Sequence, residues 1–110
     1  MPKKIDCLVR ITVPNQGKLL LKLAGESFLP NVYEDEYSKL LLVHIQSEEY
    51  KIHKWSVINK FTGLNVCSGT TKKDCVAEFE RFREQYDYMV STKDKVFERG
   101  HRELEEMKIC

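Results

Sequence analysis

Of the four cysteines and three histidines in this sequence, two of each lie near one another and could support covalent chemistry. Cys67 and Cys75 lie eight positions apart, and His44 and His53 precede them. A nucleophilic cysteine needs a thiol with a lowered pKa and a base within hydrogen-bond reach. Cys75 falls in the first turn of a predicted helix, where the helix dipole lowers a thiol pKa. Free cysteine is also among the most buried residue types, so we favour core packing over catalysis.

The same four side chains could instead ligate a metal ion. Their spacing matches no common zinc site, because the chain has no Cys-x-x-Cys pair. It also lacks a phosphate-binding glycine loop, an HExxH motif and a G-x-S-x-G motif. We therefore expect a protein that is not an enzyme and that uses no metal ion or other cofactor.

A lysine-rich stretch between Tyr50 and Lys73 is the first of two candidate binding surfaces. It contains no Asp or Glu, and strand alternation places Lys51, His53 and Trp55 on one face. Cations beside an aromatic ring that can stack on a base are what single-stranded nucleic acid requires. An ordinary solvated sheet face, with Trp55 in the core, explains the same pattern. The residues predicted to bind nucleic acid are Lys51, His53, Lys54, Trp55, Lys60, Lys72 and Lys73.

The end of this stretch, Ser68-Gly69-Thr70-Thr71-Lys72-Lys73, resembles the second half of a double-stranded RNA-binding domain. The last helix of that family opens with a lysine pair that grips phosphate, so the resemblance implies a phosphate contact at Lys72 and Lys73. The strand order is also similar to that of three-stranded DNA-binding domains of the integrase-arm type. The likeness covers only this strand–turn–strand–helix segment. The chain departs from the family near Val76, where the family has a third lysine, and at Phe79 and Glu80, where the family helix has small residues. It also lacks the family's first helix.

An acidic loop flanked by tyrosines is the second candidate surface. Its carboxylates could mimic nucleic-acid phosphates and occupy a basic groove on a partner. Exposed tyrosine beside carboxylates is typical of protein interfaces. An ordinary solvated acidic loop is the alternative. The residues of this candidate surface are Tyr33, Glu34, Asp35, Glu36 and Tyr37.

Alternating apolar positions predict the sheet that must hold both surfaces. Residues 5–13 and 18–24 alternate on either side of a turn at 14–17, which predicts a β-hairpin. Three further apolar runs predict strands, and residues 25–39 look irregular. The short loops require antiparallel neighbours, because a parallel crossover is longer. The further strands are predicted at 40–46, 50–58 and 64–68.

Beyond Gly69 the apolar period changes to that of a helix. Thr71–Asp74 has the form of a capping box, and Ser91–Asp94 has the same form. We therefore favour two helices with a break between residues 87 and 91. The alternative is one helix over 72–108, which would pair with a second copy. The residues of that homodimer seam would be Phe82, Tyr86 and Met89.

Length and composition favour one soluble globular domain. The chain has 110 residues, of which 42% are hydrophobic and 32% charged. Its net charge of +1 produces no overall field that attracts nucleic acid or membranes. We see no signal peptide and no apolar run near the ~20 residues that a membrane span needs. The predicted location is cytoplasmic, where cysteines stay reduced.

The sequence therefore predicts one domain over 1–110, with an α+β fold. We expect an antiparallel β-sheet of about five strands over residues 4–69, with one or two C-terminal α-helices over 71–108 packed on one face. The leading hypothesis is a small inhibitor or adaptor that occludes a protein or ribonucleoprotein partner. Phage and mobile-element accessory proteins, including anti-CRISPR inhibitors, have this general character. The alternative is a nucleic-acid-binding module that uses residues 50–73.

Overall fold

A computed structural model of the chain describes residues 4–109. Within that range, five β-strands precede two α-helices, and the strands form one antiparallel sheet in sequence order. This architecture confirms the predicted α+β meander with C-terminal helices. The elements are β1 (Lys4–Val13), β2 (Gly17–Phe28), β3 (Leu40–Ser47), β4 (Ile52–Asn59), β5 (Asn65–Gly69), α1 (Lys72–Thr92) and α2 (Lys95–Ile109).

The sheet curls, so that its first strand approaches the turn between β4 and β5. β1 and β2 pair along their whole length, whereas β2 pairs with β3 only over Glu26–Phe28. The backbone N–H of Arg10 in β1 donates to the carbonyl of Gly63, 3.1 Å away. One face of the sheet carries an apolar cluster, as the alternation of apolar residues requires. Its buried members are Cys7, Val9, Ile11, Val13, Leu41, Val43, Ile45 and Ile58.

Gly25 allows β2 to continue beyond its predicted end. A Cβ atom at Gly25 would lie 2.6 Å from a methyl carbon of Val43 and 2.8 Å from the Leu42 carbonyl oxygen. Only glycine permits this close approach of two strands. The prediction that residues 25–39 are irregular is therefore wrong for residues 25–28, which belong to β2.

Helix α1 covers the opposite face of the sheet, and Phe97 of α2 joins the same apolar cluster. Cys75, Phe79 and Tyr86 form a buried stripe along α1, at a spacing that keeps them on one side of a helix. They pack on Leu42 of β3 and Val57 of β4, both of which are buried. Truncation of one such aromatic core residue to alanine typically costs about 3–5 kcal/mol. The fold therefore has two apolar layers, one on each side of the sheet.

The break between the two helices lies later in the sequence than predicted. Two helices are present, but the break lies at Lys93 and Asp94 instead of residues 87–91. Lys93 adopts a left-handed φ of 52°, and its N–H bonds to carbonyls in the last turn of α1. The Ser91 hydroxyl donates to a carbonyl of its own helix, so Ser91 ends α1 and does not cap α2. The Asp94 carboxylate accepts from the N–H of Val96 and begins α2.

The break removes the continuous helix on which the homodimer hypothesis depended. Tyr86 is 2% exposed and lies in the core of a single chain. Phe82 and Met89 are half-buried against the same cluster. The expectation of a seam through these three residues is therefore wrong for Tyr86.

Arg10 joins the hairpin to α2. Its guanidinium donates from Nε to the Thr62 carbonyl at 3.0 Å and from Nη2 to the Gly100 carbonyl. It also forms an ion pair of 3.3 Å with Glu103. Three elements that are distant in sequence therefore meet at one half-buried arginine.

Candidate functional site

The predicted basic residues divide into separate groups in the structure. His53 and Trp55 face the helix side of the sheet, whereas Lys54 lies between them in sequence and faces the other side. Lys60 follows the last residue of β4, so roughly 20 Å of strand separates it from His53. Lys51 is exposed in the β3–β4 turn, where it has a left-handed φ of 56°. The stretch therefore does not form one continuous basic surface.

Four side chains nevertheless converge where α1 begins, and we call this group the Trp55 patch. The Trp55 ring stacks on His44, with 4.5 Å between centroids and 7° between planes. The His53 ring centroid lies 5.1 Å from that of His44. Lys72 places its Nζ 5.8 Å from the centre of the Trp55 ring. The patch is therefore an aromatic stack with a cation on its rim.

His44 is the member of the patch that the sequence analysis missed. It lies directly opposite Trp55 in the register of β3 and β4. Alternation of polar and apolar residues indicated the strands but not which residue of one faces which residue of the other. Its Nε2 atom is buried and has no hydrogen-bond partner in the structure.

Carboxylates compensate much of the positive charge near the patch. Lys72 Nζ lies 3.2 Å from one oxygen of Glu26, and Lys4 Nζ lies 3.7 Å from the other. Glu48 and Glu49 are exposed in the same turn as Lys51. The patch is therefore close to neutral, in contrast with the one-signed lysine run of the sequence.

The N-cap half of the predicted capping box is present at the start of α1. Thr71 is extended, and its hydroxyl accepts a 3.1 Å bond from the N–H of Asp74. The Asp74 carboxylate accepts from Thr70 and occupies the position where a bound phosphate would gain most from the helix dipole. Lys72 pairs with Glu26, and Lys73 is exposed. The two lysines implied by the RNA-binding resemblance therefore differ: Lys72 is ion-paired, whereas Lys73 extends into solvent.

Tyr33 of the acidic loop belongs to the core. It is 4% exposed, and its ring meets those of Phe79 and Tyr86 edge to face. Its hydroxyl donates to the Asp87 carboxylate on α1. Burial, followed by the bond to Asp87, raises the pKa of Tyr33 above its ordinary value. The expectation of an exposed tyrosine is therefore wrong at this position.

The rest of the acidic loop is only partly free to bind a partner. Asp35 accepts hydrogen bonds from the N–H of Ser38 at 3.1 Å and from its hydroxyl at 2.7 Å. Tyr37 is half-buried, and its hydroxyl lies 3.3 Å from a carbonyl of α1. Glu34 and Glu36 remain exposed, but they share a cleft with three lysines, Lys39, Lys60 and Lys108. The loop surface therefore carries both signs of charge.

Asn59 holds this loop in place through a buried polar network that no sequence pattern indicated. Its Nδ2 donates to the Tyr37 carbonyl at 2.9 Å and to the Tyr86 hydroxyl at 3.0 Å. Its Oδ1 accepts from the Thr62 N–H at 2.9 Å. The Tyr86 hydroxyl donates in turn to the Ser38 carbonyl at 2.7 Å. Every one of these buried groups has a partner, so the network holds loop, turn and helix together.

The candidate nucleophiles contact each other, while the histidines stack with Trp55 and with one another. The Cys67 sulfur is 3.6 Å from the Cys75 carbonyl oxygen, whereas His44 and His53 belong to the aromatic stack. Burial raises the pKa of Cys67 to about 12 and also raises that of Cys75. A nucleophilic thiol requires the opposite shift. In the part of the chain that the structure describes, no three His, Cys, Asp or Glu side chains gather closely enough to hold a metal ion.

Comparison with protein-family models, with curated proteins and with solved structures finds no match to this chain. None of the helices within residues 4–109 has the length and apolar character needed to cross a membrane. Function is therefore inferred from the chain's own surfaces.

Proposed function

We propose that this protein is a non-catalytic inhibitor or adaptor that occludes a protein or ribonucleoprotein partner through the Trp55 patch. The observation that carries the proposal is the position of Trp55. Trp55 lies two residues before the fully buried Val57, on the same face of β4. Its ring stacks on His44 and remains half-buried. Tryptophan is among the residues that dominate binding energy at protein interfaces.

The charges around the patch favour a protein surface over a polyphosphate backbone. Nucleic-acid affinity depends on unpaired cations that replace counterions along the phosphates. Lys72 and Lys4 share the single carboxylate of Glu26, so only one net positive charge remains there for that exchange. Interface centres are enriched in aromatic side chains and depleted of charge. A stacked tryptophan and two imidazoles match that composition.

Loss of the Trp55 ring tests the proposal. Tagged wild-type protein and a Trp55→Ala variant would be used to recover partners from extracts of the source cells. A hot-spot residue contributes about 2 kcal/mol or more, so we expect recovery of the specific partner to fall at least tenfold. Tyr88→Ala is the matched control, because Tyr88 is 69% exposed on the outer side of α1. Equal recovery by both folded variants would contradict the proposal.

The remaining acidic residues provide an internal comparison. Glu34 and Glu36 are exposed. Asp35 accepts a hydrogen bond from Ser38, so a substitution of Asp35 would disturb the loop. A Glu34→Lys and Glu36→Lys double variant is expected to retain the partner, because these carboxylates lie outside the patch. Loss of the partner in this variant, with retention by Trp55→Ala, would assign the contact to the acidic loop instead.

Nucleic-acid binding is a second candidate, favoured by the position of Lys72 over the Trp55 ring. Trp55 is the sole tryptophan of the chain, so its emission reports directly on a base stacked at the patch. Single-stranded DNA and RNA oligonucleotides would be titrated at low and at physiological salt. This candidate predicts quenching and an affinity that falls steeply as salt rises. Unchanged emission at low salt would reject it.

A further inference from the structure

We propose that Cys67 and Cys75 are a site of reversible oxidation, at which a disulfide forms between β5 and the first turn of α1. This inference is independent of the Trp55 patch and of any binding partner. It assigns a chemical role to two thiols that lie together in the fold and that the proposed function does not use.

The fold brings Cys67 and Cys75 into contact with each other. The Cys67 sulfur lies 3.6 Å from the Cys75 carbonyl oxygen, and the Cys75 sulfur lies 4.0 Å from the Cys67 carbonyl oxygen. Each side chain therefore rests on the backbone of the other residue. Such contact is compatible with the Cα separation of roughly 4.4–6.8 Å at which disulfides form.

Gly69 explains why the strand and the helix approach so closely here. A Cβ atom at Gly69 would lie 2.6 Å from the Cys75 nitrogen, so the end of β5 meets the backbone of α1 directly. The capped first turn of α1 fixes the other side of the contact. Cross-linking therefore joins two elements that are already in place.

The surroundings of the thiols set the order and speed of the reaction. Cys67 is half-buried and Cys75 is fully buried, so an oxidant reaches Cys67 first. Burial raises the pKa of both thiols, which keeps the thiolate fraction small near neutral pH. The reaction is therefore slow at pH 7 and accelerates as the pH rises. Cys7 lies in the cluster on the opposite side of the sheet and does not compete.

A disulfide oxidant such as glutathione disulfide supplies the chemistry. The Cys67 thiolate attacks one sulfur of the oxidant, forms a mixed disulfide and releases one glutathione thiolate. The Cys75 thiolate then attacks the Cys67 sulfur and releases the second glutathione thiolate. The two protons lost by the cysteines pass to the two released thiolates. One protein disulfide thus forms as one molecule of glutathione disulfide is reduced to two of glutathione.

Peptide mapping tests the proposal on the folded chain. A Cys110→Ser variant, which removes the terminal thiol, would be incubated with glutathione disulfide at mildly alkaline pH and digested with trypsin. Cleavage at lysine and arginine places Cys67 in the peptide 61–72 and Cys75 in the peptide 74–81. We expect these peptides to be joined, with a loss of about 2 Da that dithiothreitol reverses.

Two results would overturn the inference. One is a stable glutathione adduct on Cys67 with no cross-link, which would show that Cys75 cannot reach it. The other is two free thiols after oxidation of the folded protein under conditions that cross-link the unfolded chain. Cys75→Ser in the same background is the control and should stop at the glutathione adduct.

Discussion

Trp55 remains only half-buried because α1 begins too late in the chain to cover it. Val57 lies two residues further along the same face of β4 and is fully buried, whereas Trp55 packs on His44 at the margin of the helix. A cross-strand aromatic pair of this kind contributes roughly 0.2–1 kcal/mol to a sheet. The ring therefore stabilises the sheet modestly and keeps part of its surface exposed.

Asn59 is expected to be among the residues whose loss costs most stability. Asn59→Ala removes four side-chain hydrogen bonds and leaves the buried N–H of Thr62 without its partner. We expect the free energy of unfolding to fall by about 2–4 kcal/mol. Urea denaturation measures this change. Asn65→Ala, at an exposed asparagine of β5, is the control, and equal losses in the two variants would refute the role of the network.

Tyr33 links stability to alkaline pH. Its pKa is raised in the folded state, so above about pH 10 the unfolded chain releases this proton while the native chain retains it. Stability from this group is therefore present below pH 10 and is lost as the pH rises. Tyr33→Phe should make the decline between pH 10 and 12 less steep by up to about 1.4 kcal/mol per pH unit.

The control for the alkaline experiment is Tyr88→Phe, at a tyrosine that is 69% exposed. Chemical denaturation at a series of pH values gives the slope for each variant. Identical slopes for Tyr33→Phe and the wild type would contradict the link between Tyr33 burial and alkaline stability.

At the scale of single residues, sequence patterns predicted some contacts and missed others. Thr71 was identified as a cap because its bond to Asp74 is local in sequence. Tyr33 was misjudged because its partner, Asp87, lies 54 positions away. His44 was missed for a similar reason, since strand register decides its contact with Trp55. Local chemistry was therefore predictable, and contacts between distant segments were not.

At the scale of elements, Gly100 shows how packing outweighs helix propensity. Alanine is intrinsically better than glycine in a helix by about 1 kcal/mol. A Cβ atom at Gly100 would nevertheless lie 2.9 Å from the Thr62 methyl carbon and 3.2 Å from Leu64. We therefore expect Gly100→Ala to destabilise the protein by about 1–2 kcal/mol, because α2 must move away from the β4–β5 turn.

Thermal or urea unfolding checks this prediction, with Arg99→Ala as the exposed neighbour on the same helix. The arginine variant should change stability by less than about 0.5 kcal/mol. A stabilised Gly100→Ala protein would show that α2 is not held as closely as the structure has it.

The order and direction of the strands followed from period-2 patterns and short loops. The curl of the sheet did not, because it depends on Gly25 and on the contact between Arg10 and Gly63. The helix break was expected, but its position was set by Lys93 in a left-handed conformation that lysine rarely adopts. Element types were therefore predictable, while bends and boundaries depended on tertiary contacts.

Across the whole molecule, positive and negative charges are balanced in total number and also within local ion pairs. The chain has 18 Lys and Arg against 17 Asp and Glu. Several ion pairs are exposed neighbours on one helix, such as Glu78 with Arg81 and Glu105 with Lys108, and each contributes little to stability. No strong overall field therefore steers a partner, and the proposed recognition at the Trp55 patch would depend on shape and aromatic contact.

The most direct test of the Trp55 patch is a fluorine spectrum of the sole tryptophan. Protein labelled with 5-fluorotryptophan gives one ¹⁹F signal, which reports only on Trp55 even when an unlabelled partner contains tryptophan. The partner recovered with the wild-type chain would be added after nuclease treatment. We predict that the signal shifts or broadens as the complex forms. A complex that forms while the signal stays unchanged would contradict the proposal that this patch is the contact surface.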